Sequence, residues 1–270
     1  EFLVQDTEIL NAVFEYDLGW ASLLSSSSWN TEILKEARDI GSFFGGAPIP
    51  QYRANEENDF VQEIRITSSF DGALQFIAGA YYQDTDIDYG FTTDYIGDPM
   101  ANPFGTNPIL QRGSRDAEVS QLSFFGELSY ELVESINLTI GMRHFDYDRE
   151  QIEENFGGAF TPIAPPVISS GSEEGETYKV NLSYKPNEDN LLYAQWSDGF
   201  RLGRAIPSLN QPTCDADNDG ILDGTNVSAG SRVLESDNVT NYEVGAKSTL
   251  LDGQMTINGA IYQNDWSDIP

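Results

Sequence analysis

Apolar and polar residues alternate with period two along many stretches of this chain, which commits it to strands rather than helices. Ile136, Leu138, Ile140 and Met142 share one side against Asn137, Thr139 and Gly141. Val180, Leu182 and Tyr184 oppose Lys179, Asn181 and Ser183. Leu122, Phe124, Leu128 and Tyr130 oppose Gln121, Ser123, Glu127 and Ser129. Leu74, Phe76, Ala78 and Ala80 continue the theme, as do Met255, Ile257 and Ile261. About ten such strands are expected, and helical spacing fits none of them as well.

The connections sort into two kinds. Tight-turn residues stand at Asp17-Leu18-Gly19, Ser69 to Gly72, Val133 to Ser135, Lys185 to Asp189 and Leu251-Asp252-Gly253. The alternate links are long and rich in Gly, Pro, Asn and acids, around 34–58, 89–114, 150–175 and 203–237. Structureless links beyond about 12–15 residues are uncommon in compact soluble domains. Long links all at one end of successive hairpins match a transmembrane β-barrel, with short periplasmic turns, long extracellular loops and apolar-out, polar-in strands. Trp20, Trp29, Trp196 and Trp266 fall towards the expected strand ends, where aromatic girdles sit. A secreted β-sandwich or propeller is the competing fold, but propeller blades repeat every ~40–50 residues with links of more even length.

Composition narrows function. Against 44 Asp and Glu stand 14 Lys and Arg, a net charge of −30, which excludes a phosphate-neutralising nucleic-acid surface. With 12% aromatic and 39% hydrophobic residues the chain folds rather than staying disordered. One cysteine, Cys214, and one histidine, His144, leave no internal disulfide, CxxC site or His-rich metal site. The Asn-x-Ser/Thr sequons at Asn137 and Asn226 read as chance in a bacterial membrane setting.

Several segments then carry a family resemblance. Asn190-Leu-Leu-Tyr-Ala-Gln-Trp-Ser-Asp-Gly-Phe-Arg-Leu-Gly203 resembles the rising strand of TonB-dependent outer-membrane receptors. Glu235 to Ser248, with its Asn-Tyr-Glu-x-Gly-x-Lys core, resembles the descending strand that follows. Leu250 to Ile269 is similar to the next hairpin, and Phe60 to Ile66 with Gly79 to Tyr82 to a hairpin of iron-complex receptors. The resemblance implies an all-β, antiparallel barrel segment in the Gram-negative outer membrane, not an enzyme. It implies uptake of a scarce nutrient such as a ferric siderophore, with TonB, a plug domain, outer-membrane lipid and lipopolysaccharide as partners. Family members carry a plug preceded by a TonB box and a barrel of about 22 strands. No plug is recognisable here, and the chain opens without Met and stops at Pro270. Residues 1–270 are therefore expected to be part of a receptor barrel, lacking the plug and the C-terminal strands.

Two motifs offer chemistry. Asp215, Asp217 and Asp219 followed by Gly220, the Ile221 carbonyl and Asp223 match a short Ca²⁺ loop, with oxygens at alternate positions and a glycine for the sharp turn. The twelfth position is Asn226 rather than a bidentate Glu, so the loop resembles extracellular DxDxDG modules of modest affinity, ~10⁻⁴–10⁻³ M. A solvated acidic turn uses the same residues. His144 beside Asp146 and Asp148 raises a second possibility, a complete ten-stranded barrel protease, while a soluble calcium-dependent β module is a third. No second carboxylate pair is placed by a recognisable motif, so a strand-end polar cluster is the preferred reading of His144. Arg143, Glu127, Lys179, Glu243 and Lys247 face the lumen if the apolar sets face lipid, and are expected to pair there. If Asp215, Asp217 and Asp219 bind Ca²⁺, proteolysis of the folded receptor within 213–226 slows when calcium replaces chelator. Equal cleavage rates leave a solvated turn.

Overall fold

A computed structural model describes residues 1–160, 163–201, 203–205, 223, 233, 234 and 236–269. The long strands are β1 (Phe2–Asp17), β2 (Ala21–Asp39), β3 (Pro50–Ser68), β4 (Leu74–Asp94), β5 (Ile109–Val133), β6 (Ile136–Gly157), β7 (Ala164–Asn187) and β8 (Asn190–Arg201). A short ribbon of β9 (Arg204–Ala205) and β10 (Val233–Leu234) precedes β11 (Asp237–Leu250) and β12 (Met255–Ser267). Ten strands form one sheet in chain order, β1 to β8 then β11 and β12, each antiparallel to its neighbour. This is the expected architecture. Among the described residues no helix is long and apolar enough to cross a membrane. Strands must do it.

All five tight turns lie at one end, and their side chains set them. Asp17 Oδ1 accepts from the Gly19 amide at 2.7 Å, and Asn187 Oδ1 accepts from Asp189 at 3.1 Å. The Gln254 amide donates to the Leu251 carbonyl at 3.1 Å, and the two residues between them, Asp252 and Gly253, take positive φ, 52° and 87°, as the central pair of a type I′ turn requires.

Cross-strand register sorts every strand into two faces. Ile140, Val180, Trp196 and Tyr242 lie in one row, and Leu138, Leu182, Ala194, Val244 and Ile261 in the row below. With Leu122, Phe124, Leu128 and Ile136 they make the apolar outer face, on which Leu128 is 57% and Ile140 52% exposed. Transfer of that much exposed apolar surface to hydrocarbon is favourable, so the face belongs against lipid. Trp20 stacks on Phe70 at the turn end, while Trp29, Phe60 and Tyr82 form a second aromatic row further up. Trp20 and Trp29 are nine residues apart, about 30 Å along the strand and roughly 23 Å in height at a tilt of ~40°, matching the ~25 Å apolar band of such barrels. Trp266 departs from the expected girdle: it pairs with Val239 on the inner face, under Arg201.

The loops are shorter than the sequence suggested. β2 runs to Asp39 and β3 starts at Pro50; β4 ends at Asp94 and β5 starts at Ile109; β6 ends at Gly157 and β7 starts at Ala164. Much of the acid-rich sequence read as loop is strand continuing above the bilayer, because an antiparallel ladder keeps its hydrogen bonds in water as well as in lipid. Carboxylates dominate the outer face there, with Asp86, Glu118 and Glu150 directly opposite one another in one row. The joints between strands pack on each other: Ile49, Leu110 and Tyr95 are buried, and Phe44, Phe104 and Phe160 meet edge-to-face and stacked.

Candidate functional site

The inner face is polar and ordered in tiers. Nearest the turns, Lys179 Nζ lies 2.9 Å from Glu127 Oε1. Glu127, Gly141 and Lys179 are successive partners in one row, so Gly141, which has no side chain, lets the lysine reach across β6 to the glutamate on β5. A Cβ at residue 141 would sit 3.1 Å from Glu127 Cγ. Beside this pair, the Tyr193 hydroxyl donates to Glu243, and Lys247 Nζ lies 5.9 Å from the Tyr193 ring centroid. All five residues expected on the inner face lie there, but the expected pairing holds for Glu127 with Lys179 alone: Glu243 and Lys247 each meet Tyr193, and Arg143 makes no ion pair among the described residues.

Aromatic rings on this face lie over glycines. Phe125 faces Gly79, Phe145 faces Gly175, Tyr193 faces Gly245 and Phe91 faces Gly113, each directly across a strand pair. A Cβ at Gly79 would come within 2.5 Å of Phe125, and one at Gly175 within 2.8 Å of Phe145. Each glycine makes room for a ring to lie flat across the neighbouring strand, a recurrent stabilising pair in sheets.

Three guanidiniums stand higher on the wall. Arg143 lies with its Cζ 5.2 Å from the Tyr81 ring centroid and donates to Ser123 Oγ at 3.1 Å. Arg149 donates to Gln151 at 3.2 Å, and Arg115 lies over Tyr89 at 5.9 Å. The Nε atoms of all three are buried without a hydrogen-bond partner, and none of the three makes an ion pair among the described residues. Arg53, by contrast, pairs with Glu36 at 3.2 Å. Cation–π contact and neutral acceptors leave guanidinium charge available to an anion. Acids collect on the other side: Asp59 accepts from Gln83 at 2.9 Å and Thr85 at 2.6 Å, with Glu57 above it.

At the outer end β8 leaves β7. Their pairing ends at Lys179–Ser197, whereas β8 stays with β11 up to Arg201–Asp237. The freed end folds against the inner wall: Phe200 stacks on Phe145 with centroids 3.7 Å apart, Tyr147 donates to the Gly203 carbonyl at 3.3 Å, and Ser236 donates to Glu173. Asp237, 1% exposed, is held by Arg201. Composition and periodicity gave no hint of this anchor, since it joins residues far apart in sequence.

His144, Asp146 and Asp148 project from the outer face instead, His144 Nδ1 being 3.4 Å from Glu176 Oε1. Of the calcium motif, Asp215, Asp217, Asp219 and Ile221 lie outside the described residues, as does Cys214, and Asp223 sits in an exposed turn. Among the described residues no group of three His, Cys, Asp or Glu is arranged to hold a metal ion.

Comparison with known proteins places this architecture. A family model described as "TonB dependent receptor-like, beta-barrel" matches residues 3–270. The ferric yersiniabactin uptake receptor FyuA from Yersinia pestis superposes with a TM-score of 0.75 at 14% identity, over 99% of this chain and 36% of that one. The siderophore receptor PiuA from Acinetobacter baumannii gives 0.69 at 18% identity, over 96% of this chain and 40% of the receptor. The copper transporter OprC gives 0.62 at 12% identity, over 96% and 38%. At these identities the superpositions establish the fold, and the chain spans roughly two-fifths or less of each structure's length.

Glu57 is titratable and stands three residues above Phe60 of the outer aromatic row. Burial, then the charges of Glu32 and Asp59, push its carboxyl above the usual carboxylate range. A raised acid favours the fold while protonated, and that contribution fades as pH rises through its folded pKa. In a carbon-13 titration Glu57 should therefore protonate above ordinary glutamates, and Glu32→Gln should lower its midpoint. An ordinary midpoint unmoved by Glu32→Gln contradicts this electrostatic picture.

Proposed function

The chain belongs to the TonB-dependent receptor β-barrel family of the Gram-negative outer membrane, and on that premise we propose that the intact protein imports an anionic metal chelate such as a ferric siderophore. The family is one of transporters, which sets aside the protease reading of His144 and the soluble-module reading. The observation that carries the proposal is the column of Arg115, Arg149 and Arg143, none of which forms an ion pair among the described residues, although Glu153 stands opposite Arg115 across β5 and β6. Tyr89 and Tyr81 lie under two of these cations, so a planar aromatic chelate meets both charge and ring faces. The cargoes named for the structural neighbours, ferric yersiniabactin and copper among them, are metal species, which agrees with a chelate as cargo. In this proposal the lower tier of Glu127, Lys179, Glu243 and Lys247 faces a plug domain, and TonB energises release of the cargo.

Uptake by the full-length receptor tests it. With Arg115, Arg143 and Arg149 all changed to Gln, import of a negatively charged ferric tris-catecholate should fall by at least about tenfold, the scale expected when even one charge-assisted contact worth ~1.5–3 kcal/mol is removed. Import of a neutral ferric tris-hydroxamate should not fall. Equal loss for both chelates, or no loss for either, contradicts the anionic assignment.

A further inference from the structure

The three guanidiniums of the inner wall are evenly spaced along β4. Arg115 stands directly opposite Tyr89, with its Cζ 5.9 Å from the ring centroid. Arg149 shares a row with Val119 and Thr85. Arg143 reaches Ser123 Oγ and the ring of Tyr81, which face each other in a third row. Residues 89, 85 and 81 point to one face, so each step is about 13 Å along the strand and the two tyrosines lie about 26 Å apart. Tyr81 adjoins Tyr82 of the outer aromatic row, and Tyr89 stands farther out. Two guanidinium-over-tyrosine units thus bracket one arginine that has no ring. A mononuclear chelate is too small to touch both units at once.

The two units differ in their surroundings. Directly across from Arg115 is Glu153, whose charge opposes an anion there. Arg149 has Val119 and Gly171 directly beside it, and Arg143 has Phe125 and Thr177, all neutral. The Tyr81 hydroxyl donates to Gln83 at 2.8 Å, and Gln83 donates to Asp59 at 2.9 Å, which fixes the inner ring. An anion is therefore held more tightly at the inner unit than at the outer one. Between the units Thr85 and Ala117 are buried, and the wall there is low. On the far side Asp59 continues the row of Thr85 and Arg149, and Glu57, opposite Glu32, lies in the next row out. None of these three carboxylates makes an ion pair among the described residues. They repel an anion from β2 and β3 and confine it to the arginine side.

We infer that the wall holds two binding stations that one anionic chelate occupies in succession, an outer one at Arg115 and Tyr89 and an inner one at Arg143 and Tyr81. Arg149 is the cation that carries the chelate across the step between them. The outer station captures, and Glu153 keeps its hold weak enough for onward transfer; the inner station retains. This inference rests on the anionic assignment of the cargo and adds to it an order of events and a separate role for each arginine.

Stopped-flow quenching of tryptophan fluorescence by a ferric tris-catecholate, with purified full-length receptor and no TonB, tests it. The wild type should show a fast phase that scales with chelate concentration, then a slower phase that does not. Arg115→Gln should slow the fast phase several-fold yet leave the equilibrium Kd within about twofold, because the chelate comes to rest at the inner station. Arg143→Gln should abolish the slow phase and raise Kd about tenfold or more, while the surviving fast phase shows that the variant is folded. Arg149→Gln should slow only the second phase, several-fold. A single phase in the wild type, with Kd raised by similar factors in Arg115→Gln and Arg143→Gln, overturns the two stations and leaves the anionic cargo standing. A slow phase that survives Arg143→Gln also overturns them. Binding unmoved by all three substitutions contradicts the anionic cargo itself.

Discussion

Hydrocarbon offers no hydrogen-bond partner to a peptide group, and each one left unpaired costs several kcal/mol. Everything else in this structure follows from meeting that demand with strands. A ten-stranded ladder in chain order satisfies N–H and C=O groups between neighbours, and its pleat then gives every strand one face for lipid and one for the interior. A slip of one residue would turn Leu128, Ile140 and Val180 inward and send Glu127, Gly141 and Lys179 into lipid. Register is therefore set by the difference between the faces. The short turns, with Asp17 and Asn187 capping their own backbone, keep successive hairpins in step.

Once the faces are set, charge can be segregated. Most described arginines and lysines of the long strands lie inward, where Glu36, Glu63, Glu127 and Asp237 each answer a cation. The outer face above the bilayer carries rows of carboxylates that repel one another but remain hydrated and screened. The net charge of −30 is thus carried to a large extent by strand extensions in water, and the interior is left locally balanced. Arg115, Arg143 and Arg149 form no ion pair among the described residues, and in the proposed function they meet the cargo.

The fold was largely legible because period-two alternation and turn chemistry are local properties. The strand pattern over 118–145 and the five turns needed only neighbours in sequence. The loops were read too long because stretches such as Arg53 to Asn58 and Ser169 to Gly175 alternate so weakly in polarity that a hydrated strand resembles a loop. The functional wall was legible only in part. Glu127, Lys179, Arg143, Glu243 and Lys247 could be assigned to the inner face by parity. The roles of Arg115 and Arg149, the glycine–aromatic pairs and the Phe145–Phe200 stack depend on register between strands, which no single strand encodes. Trp266 misled for the same reason: a tryptophan near a strand end fits a girdle on either face until its cross-strand partner is known.

The two-faced assignment is the claim on which the rest depends, and site-directed spin labelling of the full-length receptor in bilayers measures it directly. Labels at Leu128, Ile140 and Val180 should be relaxed strongly by oxygen and weakly by a polar nickel chelate. Labels at Ser129, Thr139 and Asn181, one residue away on the same strands, should lose that oxygen preference, and labels at Asp86 and Glu118 should be open to the chelate. Accessibility that does not alternate between Leu128 and Ser129, or between Ile140 and Thr139, would contradict the account.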